Sequence, residues 1–282
     1  MTESTLTGVS GLKLFTRSWQ PEGTPRAAIA LCHGFNAHSG YMTWAGEQFA
    51  ANGLAAYALD LRGRGRSEGE RFFIKEFSEY TDDVNTLVEH ARAEHPGLPV
   101  YILGHSAGGV VASTYAFEHQ DTIAGLICES FAFDVGLPDI ANLVIKGISH
   151  ITPHLHIFTL KNEIFSRDPK VVEAMNSDPL IKDESQPADT AAALVKGGEA
   201  LRENMPKFTI PMFIIHGTND KATRYQGSQY FYDHSGSKDK TLKLYEGHYH
   251  DLLNDLGKEE VMADIQNWLD ERIPASETAA TA

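Results

Sequence analysis

The feature that most constrains this chain is a set of apolar runs too uninterrupted to lie half in water: AAIALCHGF, LAAYALDLRG, PVYILGHS, AGLICES, PMFIIHGTND and KTLKLYEG. A strand with one wet face alternates apolar and polar residues, whereas a strand covered on both faces has no such need, so these runs predict a parallel sheet between helical layers. Helical patterns stand between them. One runs from Glu76 to His95, with Phe77, Tyr80, Val84, Leu87, Val88 and Ala91 at three- and four-residue steps before Pro96 stops it. Another runs from Glu259 to Arg272, with Val261, Ile265, Trp268 and Leu269 on one side. Right-handed crossovers then make a doubly wound, mostly parallel sheet. The early GLKLFTRSW alternates and reads as an antiparallel hairpin at one edge.

The alternation breaks between Phe133 and Met205, a stretch that reads as helical or irregular with no central strand. The expected organisation is an α/β core over residues 1–132 and 206–272, a helical cap inserted at 133–205, and a disordered tail at 273–282. A chain of 282 residues that is 42% hydrophobic suffices for one large domain with such an insertion. The formal net charge of −14 repels phosphate, which argues against a nucleic-acid partner or docking on anionic membranes. The start MTESTLTGVSG lacks a basic region followed by an apolar run, so a soluble, unprocessed, cytoplasmic protein is expected. Cys32 and Cys128 lie in strand-like runs and read as buried thiols.

The stretch YILGHSAGG places Gly104, Ser106 and Gly108 in a G-x-S-x-G pattern after a strand and before the helical VVASTYAFEH. That context suits a nucleophile at a tight turn, with a helix N-terminus behind it to favour developing negative charge. A serine needs a base and an orienting acid to attack at neutral pH, and those partners are expected later in the order acid, then histidine. Asp220 ends PMFIIHGTND, in the turn that follows the strand, and HYHDL follows KTLKLYEG. His248 and His250 leave two readings open. On a strand, His-x-His puts both rings on one face as a metal clamp; in a loop, one of them is a base. Gly247 signals a turn, which favours the loop. The loop LCHGFNAHSG follows the first parallel strand, and its His33-Gly34 pair can aim the N–H of Phe35 at a carbonyl oxygen beside the N–H of Ala107, an oxyanion hole.

With HGFNAHSG, DLRGRGRSEG, PGLPVYILGHSAGG, NSDPL, IPMFIIHGTND and KTLKLYEGHYHDLLND in this order, the chain resembles the α/β-hydrolase superfamily, and within it the monoacylglycerol lipase and lysophospholipase-like branch. The resemblance spans Leu12 to Leu269. It implies the α/β-hydrolase fold with a helical cap, a carboxylic ester hydrolase acting on neutral lipids such as monoacylglycerols, and no metal or organic cofactor. It further implies Ser106 as nucleophile, Asp220 as acid and His250 as base. Asn36, Ala37 and Tyr41 stand where the family commonly has glycine, glutamate and arginine, which implies looser selection of the alcohol. Glu129, just before Ser130, is a second candidate acid.

DLRGRGRSEGE lacks the pattern of a phosphate-binding loop and reads as structural. His150, His154 and His156 lack a completing cysteine or carboxylate at ligand spacing and read as solvated. Leu137, Ile140, Leu143, Val144 and Ile148 recur at helical spacing in the cap, as packing, as an acyl-chain wall or as a patch for transient contact with lipid interfaces. Two other function classes fit parts of the sequence: a non-catalytic ligand receptor on the same fold, and a metal hydrolase built on the histidine pair.

Overall fold

Five of the apolar runs pair side by side and bury both faces; the sixth, KTLKLYEG, expected to do the same, forms an edge strand in which only Tyr245 is buried. The structure, a computed structural model, describes residues 1–136 and 138–274; Leu137 and residues 275–282, most of the expected tail, lie outside them. The elements in chain order are β1 (Thr2–Thr7), β2 (Lys13–Trp19), β3 (Ala27–Cys32), α1 (Thr43–Ala51), β4 (Leu54–Leu59), α2 (Ser78–Glu94), β5 (Val100–His105), α3 (Ala107–Glu118) and β6 (Gly125–Glu129). They continue with α4 (Asp139–Ile151), β7 (His156–Phe158), α5 (Pro169–Ser177), β8 (Gln186–Pro187), α6 (Ala188–Asn204), β9 (Met212–Gly217), α7 (Tyr225–His234), β10 (Lys240–Tyr245) and α8 (Lys258–Asp270).

Eight strands form one sheet in the order β1-β2-β4-β3-β5-β6-β9-β10, parallel from β4 to β10, with β1 and β2 antiparallel at one edge. This is the α/β-hydrolase architecture. Successive residues of one strand serve opposite layers. Ala28, Ala30 and Cys32 of β3 pack with Val84 of α2, Val110 of α3 and Phe231 of α7, whereas Ala27, Ile29 and Leu31 pack with Phe49 of α1 and Val261 and Ile265 of α8. Ile273 is buried in the second layer, so packing continues past α8. Chain order reverses between β3 and β5, and in open α/β sheets the crevice beyond the strand ends at such a switch point is where ligands bind.

Among the described residues, the segment between β6 and β9 contributes no strand to the main sheet. It carries instead a small antiparallel pair, β7 with β8, which the irregular sequence around His156 and Gln186 does not announce. Its last helix, α6, sends Ala193 and Leu201 into the main core, and Phe165, Met175 and Ile181 make a cluster of their own. Helix α4 is different, with no described side chain buried and Ile140, Leu143, Val144 and Ile151 exposed. No described helix is long and apolar enough to cross a membrane.

Ile127 of β6 is 0% exposed in the middle of the sheet. Ile127→Ala is expected to cost about 2–5 kcal/mol of stability through lost burial and a residual cavity, and Ile140→Ala less than about 0.5 kcal/mol, as read from urea midpoints.

Candidate active site

β5 and α3 meet at Ser106, whose φ of 55° and ψ of −123° lie where a residue with a side chain is strained by about 1–3 kcal/mol. The surroundings hold it there. Its N–H donates to the Glu129 carbonyl at 2.9 Å, and its own carbonyl accepts from Gly109 N at 2.9 Å and Ala132 N at 3.1 Å. The turn also lies so close to the end of β3 that a Cβ on Gly108 would stand 2.4 Å from the His33 carbonyl oxygen. The Ser106 side chain therefore stands alone at the tip. Among the described residues its hydroxyl has no hydrogen-bond partner.

The turn after β9 carries Asp220, and the loop after β10 carries His250; Asp220 Oδ2 lies 2.7 Å from His250 Nδ1. The same oxygen accepts from His216 Nε2 at 2.9 Å and Thr223 Oγ1 at 2.8 Å, while Oδ1 accepts from the N–H groups of Ala222 at 2.7 Å and Thr223 at 3.0 Å. Burial alone would raise this carboxyl, but the His250 and His216 rings and these donors outweigh it and hold Asp220 well below the usual carboxylate range. A carboxylate only accepts, so Nδ1 of His250 carries its proton and Nε2 is left as an acceptor. That Nε2 is buried and has no partner among the described residues. The His250 ring sits 4.8 Å from the ring of His105, the residue before Ser106, and edge-on to Phe165 at 5.1 Å. In unliganded sites the hydrogen bond from nucleophile to base is commonly long, so two unpartnered groups here are compatible with that role.

His248 does not share this face. Its ring packs on Tyr245 at 5.5 Å and against Gly257 at the start of α8, and its carbonyl accepts from Asn219 N at 3.0 Å. The pair lies in a loop beyond β10, so the alternation a strand-borne clamp needs is absent.

The loop after β3 lies directly on the serine turn. A Cβ on Gly34 would stand 2.7 Å from Ser106 Cβ and 2.9 Å from the His105 carbonyl oxygen, so only glycine fits. His33 Nδ1–H donates to the Gly34 carbonyl at 2.7 Å, and Nε2 accepts from Leu61 N at 3.1 Å; burial holds this ring neutral down to about pH 4. The N–H groups of Phe35 and Ala107 have no partner among the described residues. Both are free to receive an anion. Asn36 turns the chain at φ 50° and donates its N–H to Glu184 Oε1 at 2.9 Å. Arg64, wholly buried, lies 4.3 Å over the Phe35 ring and bonds Tyr80, Glu184 and Gln186.

Unlike Asp220, Glu129, the second candidate acid, makes no hydrogen bond to His250 among the described residues. Its Oε1 accepts from Leu253 N at 3.0 Å, and its Oε2 lies 3.6 Å from His105 Nδ1. His105, Glu129 and Asp251 bring ligand-type atoms within 4.8 Å of one another, all buried. Two carboxyls so close in a dry site resist joint ionisation. Burial, reinforced by Asp251, raises Glu129 well above the usual range; burial raises Asp251 to about 6, and burial holds His105 far below its ordinary value. His154 bonds the Glu70 carboxylate at 2.7 Å and stacks on Phe73 at 4.3 Å, on the surface with His150 and His156. Burial raises the thiols of Cys32 and Cys128, the latter to about 12, so neither is a ready nucleophile. Sequence reasoning missed His216 and Thr223. Their places four residues before and three after Asp220, in HGTNDKAT, are the signal that both bracket the carboxylate.

Over residues 23–257 the chain matches the family described as serine aminopeptidase, S33. It is 32% identical over 269 residues to the monoacylglycerol lipase of Mycolicibacterium smegmatis, covering 95% of this chain and 96% of that one. It is also 32% identical over 281 residues to the monoglyceride lipase of Homo sapiens, covering 98% and 92%. Among solved structures, the monoacylglycerol lipase of Paleococcus ferrophilus is similar with a TM-score of 0.83 at 26% identity, covering 92% of this chain and 99% of that one.

Two outcomes are expected. Gly34→Ala, whose methyl meets Ser106 Cβ, should remain folded and lose about 10²-fold in kcat, since a misplacement of roughly 1 Å costs that much. A folded Glu129 keeps its proton at pH values where the unfolded chain has lost it, so this carboxyl's contribution to stability falls as pH rises from the unfolded value toward the raised folded one. Glu129→Gln, which still accepts from Leu253, should therefore gain stability relative to wild type as pH rises above the ordinary carboxylate value, as read from urea titrations at stepped pH.

Proposed function

The chain belongs to the serine aminopeptidase, S33 family of α/β-hydrolases, and on that premise we propose that it is a carboxylic ester hydrolase acting on monoacylglycerols through an acyl-enzyme on Ser106. The observation that carries this reading is the buried Asp220–His250 pair, with His250 Nε2 unpartnered beside the strained turn that presents Ser106. Ser106 Oγ attacks the ester carbonyl while His250 Nε2 takes its proton; the imidazolium that forms is held by the ionised Asp220. The carbonyl oxygen becomes an oxyanion, and the unpaired N–H groups of Phe35 and Ala107 are the donors for it, each worth about 10²–10³ in rate. As the tetrahedral intermediate collapses, His250 gives its proton to the leaving alcohol. Water then repeats the sequence on the acyl-enzyme and restores Ser106.

We read residues 133–205 as a cap over this site. The exposed Ile140, Leu143, Val144 and Ile151 on α4 support transient contact with a lipid interface, where a single-chain substrate leaves its aggregate. The alcohol side is less selective in this reading. Ala37 carries no charge, and the Tyr41 hydroxyl is committed to Asp178 Oδ2 at 3.0 Å, so neither offers a polar group reserved for glycerol. A carboxylesterase that also takes simple alkyl esters is favoured by that observation.

Ser106→Ala is expected to keep the fold and lose about 10⁴-fold or more in turnover, because the members of such a triad act as a unit. Retention of a tenth of wild-type activity would remove Ser106 from the reaction. On a panel of monoacylglycerols, lysophospholipids, triacylglycerols and p-nitrophenyl esters, single medium or long acyl chains should lead and triacylglycerols should trail; a triacylglycerol preference contradicts the reading. His250→Ala should abolish acyl transfer, whereas His248→Ala should lose less than about tenfold, because only one ring reaches the base position.

A further inference from the structure

Phe35, whose N–H is the oxyanion donor that does not belong to a helix, is gripped both from the hydrolase core and from Phe158 of the inserted segment, whose ring lies 6.3 Å away. The Phe35 ring lies under the Arg64 guanidinium at 4.3 Å. The next residue, Asn36, turns the chain at φ 50°, a left-handed conformation that asparagine tolerates and that its neighbours here hold. Those neighbours come from the inserted segment. The Asn36 backbone N–H donates to Glu184 Oε1 at 2.9 Å, and its side-chain Nδ2 donates to the Leu160 carbonyl at 3.1 Å and to Asn162 Oδ1 at 2.9 Å.

Glu184 is the centre of this grip. It is 2% exposed, and its Oε1 takes three donors: Asn36 N–H, Arg64 Nη1 and Gln186 Nε2, the last at 2.8 Å. Arg64 alone would account for a buried carboxylate, since the two charges neutralise each other. It does not account for the same oxygen also reaching a backbone amide 148 residues away, next to an oxyanion donor. An oxyanion hole works only when its donors are fixed where charge develops, and second contacts that hold them there carry part of the rate.

We infer that Glu184 is a positioning residue for the oxyanion hole: through the Asn36 amide it sets the N–H of Phe35, so that the inserted segment holds a part of the catalytic machinery in place. The inference rests on the proposed serine-esterase reading and adds the group that orients one of its donors. Glu184 touches neither substrate nor reacting atoms in this role.

The test uses variants that separate the acceptor from the charge. In an Arg64→Met background no buried cation is left unpaired when Glu184 loses its charge. Arg64→Met/Glu184→Gln keeps an oxygen for the Asn36 N–H, and Arg64→Met/Glu184→Ala does not. The Ala pair is expected to lose about tenfold or more in kcat relative to the Gln pair, with KM changed by less than about threefold. The affinity of an alkyl trifluoromethyl ketone should fall by the same factor, because Ser106 adds to that carbonyl with its proton passing to His250 and leaves an oxyanion in the hole. The affinity of the matching non-reactive ether should stay within about threefold, since the ether makes no oxyanion. Should the Ala pair not fold, Glu184→Asp keeps the charge for Arg64 while withdrawing the oxygen from Asn36, and the same parallel loss in kcat and ketone affinity is expected. Equal kcat in the Ala and Gln pairs, or a loss in kcat with ketone affinity unchanged, overturns the inference. The esterase reading fails separately, through turnover that survives Ser106→Ala in the otherwise unaltered chain.

Discussion

A single buried charge organises this molecule's working edge. Asp220 is almost fully enclosed yet ionised, because five donors converge on its two oxygens, among them His216, Thr223 and His250. A carboxylate in such a place costs several kcal/mol to desolvate unless it is fully paired. Its pairing in turn dictates proton positions. His250 must be protonated on Nδ1, which leaves Nε2 as the only ring atom able to take a proton from a nucleophile. His216 must be protonated on Nε2, which turns its Nδ1 toward the hydroxyl of Ser228 on α7 at 2.8 Å. The turn after β9, the loop after β10 and the start of α7 are thus joined through one carboxylate.

The inserted segment divides into two parts by how it is held. Residues 160–190 are sewn to three loops at the sheet edge. Asp178 accepts from His38 Nε2 at 2.9 Å and Tyr41 Oη at 3.0 Å, Arg167 pairs with Asp255 at 2.7 Å, and the Phe165 carbonyl accepts from Asp251 N at 2.9 Å. Thr190 closes the set by bonding Ile74 N at 2.9 Å and the Phe72 carbonyl at 3.0 Å. Helix α4 is held differently: it packs along α6, and Lys146 to the exposed Glu199 is its one ion pair among the described residues. Displacing residues 160–190 would therefore break bonds to the loops after β3, β4 and β10, whereas displacing α4 would break none of these.

Much of this was legible in the chain, for reasons that can be named. Continuous apolar runs such as PVYILGHS admit few alternatives to a doubly covered strand, and all six runs became parallel strands. Ser106, Asp220 and His250 are each announced by local context: a strand followed by glycines and a helix, a turn after a strand, a glycine before a histidine and an apolar pair. Arg64 and Glu184 had no such announcement. Their pairing spans 120 residues, and DLRGRGRSEGE reads only as a structural loop, with nothing in it to single out the arginine that the fold buries completely. The β7–β8 pair escaped because two strands this short carry no periodicity. Asn36 stood out only as a departure from glycine; that it keeps the left-handed turn through bonds to residues 160, 162 and 184 is a tertiary fact.

In the proposed reaction an ester's acyl group passes to Ser106 with the help of a base poised on Asp220. Mass spectrometry of the protein quenched during turnover of a slowly deacylating long-chain p-nitrophenyl ester tests it most directly. One acyl increment per chain is expected, carried on the peptide containing Ser106, and no increment in His250→Ala under the same conditions. An acyl group on another residue, or hydrolysis at full rate with no covalent adduct at any quench time, would contradict it.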